Sequence, residues 1–136
     1  MNKIKISDNF YLYEFQSPDT KEVKVDAKIV RKLQKLRKLV NDLLGTPDTP
    51  LFITSGYRTW EHHVSIYKED YGTEWEEYIT DNSLHLDGKA VDIASIDGLS
   101  NKKLAKLAEQ VGFDGIGVYS WGVHVDVREG QARWGW

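Results

Sequence analysis

Two histidines and an aspartate are spaced in this sequence in a way that could bind one metal ion. His85 and Asp92 are seven residues apart across a turn at Gly88, and His124 follows much later in the chain. Two ligands from one turn and a third from a distant strand are a common arrangement for catalytic zinc, where three protein ligands leave the fourth position open to water. The spacing therefore indicates a site for one divalent ion with an open coordination position.

Two predicted strands place these ligands on one face. Side chains alternate between the two faces of a strand, and in the last strand three valines alternate with His124, Asp126 and Arg128. In the earlier strand Asp92 shares its face with the small Ala90, opposite a valine and an isoleucine. If these strands are neighbours, Asp92 and His124 converge on one ion, and the preceding turn brings the other histidine to them.

Each candidate ligand also has a structural interpretation. A single histidine in a loop such as that of His85 is usually a surface or hydrogen-bonding residue, and Asp92 alone could serve a turn or a cap. His62 and His63 are adjacent on a predicted helix, where neighbouring residues point in different directions, and they lack a His-Glu-x-x-His arrangement. We interpret them mainly as helix surface, with His63 at the rim of the cleft as the alternative.

The composition restricts the kinds of site that the chain can build. Its 136 residues suit one compact domain over 1–136. Because there is no cysteine, disulfides and thiolate-bound zinc are excluded, and any metal must be held by histidine and carboxylate. The net charge of −3 gives no electrostatic case for nucleic acid, and the basic run at 28–38 is interpreted as a solvated helix face.

The amino-terminal residues do not predict export or membrane insertion. Residues 1–7 have no apolar core of signal-peptide length, and no window approaches a transmembrane span. We therefore predict a chain made in the cytoplasm, without a membrane partner. If it acts outside the cytoplasm, something other than an ordinary signal must release it.

Four helices are predicted from capping residues and apolar periodicity. Their N-caps are Asp26, Thr59, Thr73 and Ser100, with Glu76 completing a capping box for the short third helix. The first helix ends at Gly45, the second at about residue 70, and the last at Gly112. The buried stripe predicted for the first helix consists of Ile29, Leu33, Leu36, Val40 and Leu43.

Strands are predicted where short apolar runs are bounded by glycine or polar residues. They cover 51–55, 89–94, 116–118 and 122–127. Residues 7–24 are predicted to be irregular, and 80–89 are predicted to form a loop.

Four segments, in this order, resemble a known family. They are 9–15, 53–59, 83–92, and 115–119 followed by 124–128 and 132–134. Together they resemble the zinc D-alanyl-D-alanine carboxypeptidase and endolysin-peptidase family of bacteria and phages, which is related in fold to lysostaphin-type and hedgehog N-terminal domains. The resemblance covers nearly the whole chain.

The resemblance implies an α+β fold with a small antiparallel sheet, helices on one side and a zinc cleft on the open sheet face. It implies a zinc peptidase that hydrolyses peptide bonds in peptidoglycan stem peptides near a D-amino acid, with His85, Asp92 and His124 binding one zinc ion. Whether it is a D,D-carboxypeptidase or an L,D- or D,D-endopeptidase stays open. These properties would suit a lysis enzyme or a tail-associated enzyme of a phage or prophage. Such an enzyme would be a monomer that acts on the cell wall after its release.

The same resemblance implies substrate contacts. Arg58 would bind a substrate carboxylate with two prongs or polarise the scissile carbonyl. Its alternative role is a structural salt bridge at a strand end. Ser83 and Tyr119 would contact the substrate, with Tyr119 donating to the oxyanion.

The general base is the main departure from the family pattern. Many members place an acidic residue three positions before the last histidine, and here that position is Trp121, which cannot accept a proton. Asp126 is the best replacement because it shares the strand face of His124. Its alternative role is to orient that histidine as a ligand. Asp87 is a weaker candidate base.

A second departure is the segment 64–82, which is longer than expected between the second and third motifs and contains Tyr67, Tyr71, Trp75 and Tyr78. We predict a local helix that packs its aromatic side chains on the core. The alternative is a cleft wall that sets substrate specificity.

Two other classes of function compete with the peptidase. The first is a non-catalytic, metal-stabilised module for cell-wall or protein binding, which Trp121 favours. The second is a metal-free scaffold protein.

Overall fold

The computed structural model describes residues 2–136, in which a mixed sheet is covered by helices. The strands are β1 (Lys5–Ser7), β2 (Phe10–Tyr11), β3 (Ile53–Ser55), β4 (Ala90–Ala94), β5 (Gly115–Val118), β6 (Gly122–Asp126) and β7 (Ala132–Trp134). The α-helices are α1 (Ala27–Leu44), α2 (Trp60–Tyr71), α3 (Trp75–Tyr78) and α4 (Asn101–Val111). Short 3-10 turns lie at Leu12–Phe15, Gly72–Glu74 and Leu84–Asp87.

The main sheet has the strand order β3-β4-β6-β5-β7, and β1 pairs with β2 in a separate hairpin. All neighbours in the main sheet are antiparallel except β5 and β7, which are parallel. The α+β prediction is therefore confirmed, with one parallel edge strand that was not predicted. Neither β7 nor the β1–β2 hairpin was predicted, because strands of two or three residues are too short to show an alternating pattern.

The hydrophobic core lies between the sheet and helices α1 and α4. The stripe on α1 is buried as predicted through Val40, but Leu43 is 49 % exposed, which corrects that prediction. Leu43 lies in the last turn of the helix, which ends one residue later. Each fully buried side chain of the stripe, such as Leu33, stabilises the fold by roughly 1.5–3 kcal/mol relative to an exposed position.

Side-chain caps fix where three of the helices begin. The side chain of Asp26 accepts a hydrogen bond from Lys28 N at 2.8 Å, and Thr59 and Ser100 cap α2 and α4 in the same way. These three predicted caps are confirmed. The capping box predicted at Thr73 is wrong, because α3 begins only at Trp75 and has no side-chain cap.

The pairing of β4 with β6 positions the candidate ligands. Asp92 lies directly opposite His124, and Ala90 lies opposite Asp126, so all four share one face of the sheet. Val123 and its strand neighbours on the other face are buried in the core. The two strands are therefore neighbours, which is the condition for Asp92 and His124 to converge. None of the described helices is both long and apolar enough to span a membrane.

Candidate metal centre

His85 is held by the 3-10 turn that precedes β4. The turn ends at Gly88, whose φ of 68° lies in the left-handed region, and an added Cβ there would collide with the carbonyl of Lys24. Nδ1 of His85 lies 2.8 Å from the carbonyl oxygen of Gly56. Because a carbonyl can only accept, Nδ1 carries a hydrogen, and Nε2 on the other side of the ring faces Asp92.

Asp92 stands between the two imidazole rings. Its Oδ1 lies 3.3 Å from Nε2 of His85 and 2.9 Å from Nδ1 of His124. One donor atom from each of the three residues falls within 4.8 Å of the others, and the side chains are largely buried. Two imidazole nitrogens and one carboxylate oxygen are a donor set that suits zinc. The residues predicted as ligands are therefore brought together by the fold.

Two carboxylates flank His124, and each also faces a guanidinium, that of Arg58 beside Asp92 and that of Arg128 beside Asp126. Burial acts to raise the pKa of Asp92, but hydrogen bonds to His124 and His85 outweigh it and hold that pKa well below its usual value. Burial acts to lower the pKa of His124, but the carboxylates of Asp126 and Asp92 outweigh it and raise that pKa. A histidine between two carboxylates attracts a second proton when no metal is bound. The same field attracts a cation.

Asp126 is fully buried behind His124. Its Oδ2 lies 2.8 Å from Nε2 of His124 and accepts from Nη2 of Arg128 at 2.6 Å. Its Oδ1 accepts from the backbone N and from Nε of Arg128, at 3.2 Å and 2.9 Å. Burial acts to raise the pKa of Asp126, but these bonds outweigh it and keep the carboxylate ionised. With both oxygens engaged, the contacts favour the orienting role over that of a base.

Two glycines on β5 make room for this arrangement. Gly115 lies opposite Asp126, and Gly117 lies opposite His124. A Cβ at Gly115 would overlap the carboxylate of Asp126, and a Cβ at Gly117 would overlap the indole of Trp134. Glycine at alternate positions of a strand often marks a face that other groups approach closely, so the pattern Gly115-x-Gly117 could have predicted this crowding.

Arg58 lies at the edge of the cluster, directly after β3. Its Nε donates to Ser55 Oγ at 3.0 Å, and its Nη2 lies 3.4 Å from Oδ2 of Asp92. Its backbone N donates to the carbonyl of His85 at 3.0 Å, which joins the two motifs. The salt-bridge role predicted for Arg58 therefore has a contact, to Asp92, whereas its role towards the substrate stays a prediction.

His63 is fully buried, so its interpretation as helix surface is wrong. The ring lies between Arg58 and the carbonyl of Thr80, and the side chains of Trp60 and Tyr67 pack beside it. Burial is the main cause that lowers the pKa of His63. His62, by contrast, is half-buried.

Ser83 and His124 line the same surface cavity, whose volume is about 330 Å³ and whose other lining residues are Asn82, Leu84 and Arg128. Asp87 is exposed and does not line it. A larger groove of about 650 Å³ lies between β1 and α1, lined by residues such as Ile6 and Arg31, and includes none of the three candidate ligands.

Tyr119 and Trp121 lie on the β5–β6 turn. The phenol oxygen of Tyr119 accepts a hydrogen bond from Nε1 of Trp134 at 2.7 Å, which leaves its own O–H free to donate. The ring of Trp121 stacks on that of Tyr119 with centroids 4.6 Å apart. The tryptophan at the position expected for the base is therefore part of an aromatic stack.

The aromatic residues of 64–82 do not pack on the core, which corrects that prediction. Tyr67 stacks on Tyr71 at 5.7 Å, and Tyr71 stacks on Tyr78 at 4.3 Å. Tyr71 and Tyr78 are exposed, and Lys68 lies over the ring of Trp75. Burial raises the pKa of Tyr67, while the nearby charge of Arg58 lowers it. Tyr67, the innermost of the stacked tyrosines, lies edge-on to the buried ring of His63 with centroids 4.8 Å apart.

Two histidines and one aspartate that converge on an α+β fold, with one of the histidines lining a surface cavity, place the chain in the class of candidate single-metal hydrolases. The model of the M15_2 peptidase family, described as peptidoglycan L,D-endopeptidase MepK, matches residues 14–134 of the chain. The chain belongs to this family, so the resemblance noted from the sequence is confirmed. A comparison with curated proteins found no match.

Proposed function

We propose that the chain is a zinc-dependent peptidase that hydrolyses a peptide bond in the stem peptides of peptidoglycan. The observation that carries this proposal is the convergence of His85, Asp92 and His124, with donor atoms within 4.8 Å, beside the cavity that Ser83 lines. The family description supports an L,D-endopeptidase over a carboxypeptidase that removes a terminal D-residue.

His85, Asp92 and His124 would hold the ion. Zinc supplies Lewis acidity at such a site, which lowers the pKa of water to about 7 and polarises the carbonyl oxygen. The chain's own contribution is orientation. The carbonyl of Gly56 fixes the ring of His85, and the carboxylate of Asp126 fixes the ring of His124.

Arg58 and Tyr119 would position the substrate. A guanidinium has five N–H donors, and Arg58 directs one each to Ser55, His63 and Asp92, which leaves two for a carboxylate or carbonyl of the peptide. Tyr119 would donate its free O–H to the oxygen that becomes negative in the transition state.

The test is to incubate purified peptidoglycan with zinc-loaded protein. Hydrolysis is measured as the release of new amino groups, and the fragments are identified by mass spectrometry. Synthetic stem peptides with one L,D bond and one D,D bond identify the bond that is cut. We expect cleavage at the L,D bond that a chelator abolishes and zinc restores, and no cleavage by His124→Ala. Chelator-insensitive cleavage, or no cleavage by protein with a full complement of zinc, would contradict the proposal.

A non-catalytic wall-binding module is the second candidate. It is favoured by Trp121 at the position expected for a base and by the engagement of both oxygens of Asp126. Sedimentation of the protein with peptidoglycan, without any release of amino groups, would support it. Delivery by a phage and a monomeric state stay predictions from the sequence.

A further inference from the structure

We propose that Tyr119 and Trp121 form a stacking surface for sugar rings of the glycan strand, so that the enzyme prefers stem peptides still attached to glycan. This inference rests on the proposed peptidase function and adds a second substrate contact to it. We call this pair the aromatic platform.

The two rings are stacked face to face, so each covers one face of the other, and both remain partly open to solvent. The two rings are inclined by 15° with centroids 4.6 Å apart, and Tyr119 and Trp121 remain 39 % and 45 % exposed. Apolar ring faces that stay in water do not contribute the free energy that burial would supply. A ligand that covers these faces would supply it. Exposed aromatic stacks also occur at Tyr11–Tyr13 and Tyr71–Tyr78, and what distinguishes this one is its link to His124 through Trp134.

The backbone beneath the platform is firmly held. Tyr119 N donates to the carbonyl of Gly122 at 2.9 Å, and the side chain of Asn101 donates to the carbonyl of Tyr119 at 2.8 Å. The carbonyl of Trp121 accepts from Ser95 N at 3.0 Å. Because the turn is closed by its own hydrogen bond and held by two other segments, little conformational entropy is lost when a ligand stacks on it.

The platform is continuous with the metal centre. Nε1 of Trp134 donates to the phenol of Tyr119 at 2.7 Å, and the indole ring of Trp134 lies 5.3 Å from the imidazole ring of His124. The guanidinium of Arg128 lies over the same indole at 5.1 Å. A ligand on the platform would therefore be adjacent to a peptide bond that lies at His124.

The chemistry of the platform favours a sugar ring. The face of an aromatic ring is electronegative, and it attracts the weakly positive C–H groups on the flat face of a pyranose. A stem peptide is attached to a sugar of the glycan strand, so a bound peptide brings pyranose rings close to the site. A second stretch of peptide would instead need a groove or a free strand edge with backbone partners, which an exposed stack on a turn does not provide.

The test compares one stem peptide in two forms, attached to glycan fragments and released from them, with zinc-loaded wild type, Trp121→Ala and Trp121→Phe. We expect Trp121→Ala to raise KM for the glycan-linked form roughly fivefold to tenfold, with kcat little changed and the free peptide cut as by wild type. Trp121→Phe should restore most of the loss. The control Tyr13→Ala, which truncates another exposed stacked tyrosine on the N-terminal segment, should change neither reaction.

Equal effects of Trp121→Ala on both forms, or no effect on either, would overturn the platform while leaving the peptidase intact. Binding of N-acetylglucosamine oligomers, followed by the indole N–H resonances of the protein, tests it without any turnover. We expect saturable shifts of the Trp121 and Trp134 signals, and no binding by Trp121→Ala. Absence of these shifts in wild type would also refute the platform, whether or not the protein cleaves peptides.

Discussion

Nδ1 of the buried His63 lies 3.4 Å from Nη1 of Arg58, and Nε2 on the other side of the ring lies 2.8 Å from the carbonyl oxygen of Thr80. The carbonyl can only accept, so Nε2 carries the hydrogen and Nδ1 offers a lone pair to the guanidinium. Burial lowers the pKa of His63, which favours this neutral form. One ring thus joins the inserted segment 64–82 to the arginine beside the metal centre.

Two substitutions of His63 separate its two contacts. Asn places an amide oxygen near the position of Nδ1 and keeps the acceptor for Arg58, whereas Gln places an amide nitrogen near that of Nε2 and keeps the donor to Thr80. Since a hydrogen bond to a charged group contributes about 1.5–3 kcal/mol, His63→Gln should lower kcat/KM roughly tenfold or more. His63→Asn should stay within about threefold of wild type.

The zinc content of these variants is the control, because His63 does not belong to the ligand cluster. We expect full zinc occupancy in both proteins. If His63→Asn and His63→Gln lose activity equally, the contact to Arg58 is not what matters, and the histidine serves only to fill space.

Asp126→Asn tests the orienting role of that carboxylate. An amide cannot reproduce both the charged contact to Nε2 of His124 and the paired bonds to Arg128, so the ligand ring loses its fixed position. Loss of such a partner typically costs 10–100-fold in metal affinity. We expect that loss in a competition titration against a chelator, with turnover of the zinc-saturated variant within a few-fold of wild type. Unchanged zinc affinity with turnover abolished would instead identify Asp126 as the general base.

Gly115→Ala should disturb the same carboxylate from the neighbouring strand. The new methyl group would overlap Asp126, and forcing extra volume into a packed site typically costs about 1–3 kcal/mol. We expect a lower Tm together with weaker zinc binding. Gly130→Ala is the matched control, since its φ of 74° strains an alanine but its surroundings are open. Gly130→Ala should lower stability without changing zinc affinity. If Gly115→Ala also lowers stability and leaves zinc affinity unchanged, the overlap with Asp126 does not affect the candidate metal site.

Arg58→Ala should impair substrate use more than metal binding. The guanidinium contacts Asp92 only at 3.4 Å and retains two free N–H donors, so its largest contribution is expected towards the peptide. We predict that KM rises at least tenfold while zinc affinity falls only a few-fold. Arg58→Lys keeps the positive charge but lacks the planar pair of N–H donors, so it should restore little of the lost substrate affinity. Parallel losses of zinc and substrate affinity would assign Arg58 a structural role.

The three candidate ligands could be predicted from the sequence because each lies in a short motif, although their convergence depended on a strand pairing that the sequence analysis could only assume. Alternation on β6 fixes which face His124 occupies, and antiparallel pairing then places it opposite Asp92. The caps at Asp26, Thr59 and Ser100 are likewise decided within one turn of a helix.

Three features could not be predicted from the sequence, because they depend on contacts between distant segments: the burial of His63, the contacts of Asp126 and the pairing of β7. The burial of His63 requires Arg58, Tyr67 and Thr80 to meet around it, and nothing in the local pattern encodes that meeting. The choice between two roles for Asp126 depended on whether its oxygens are free, which only the position of Arg128 decides. The parallel pairing of β7 has the same origin.

The zinc site is tested most directly by zinc titration of metal-free protein, combined with X-ray absorption spectroscopy of the zinc-loaded form. We predict one zinc ion per chain, with two imidazole nitrogens and one carboxylate oxygen at about 2.0–2.2 Å, and loss of this binding in His124→Ala. Failure to bind zinc, or binding in His124→Ala that equals wild type, would contradict it.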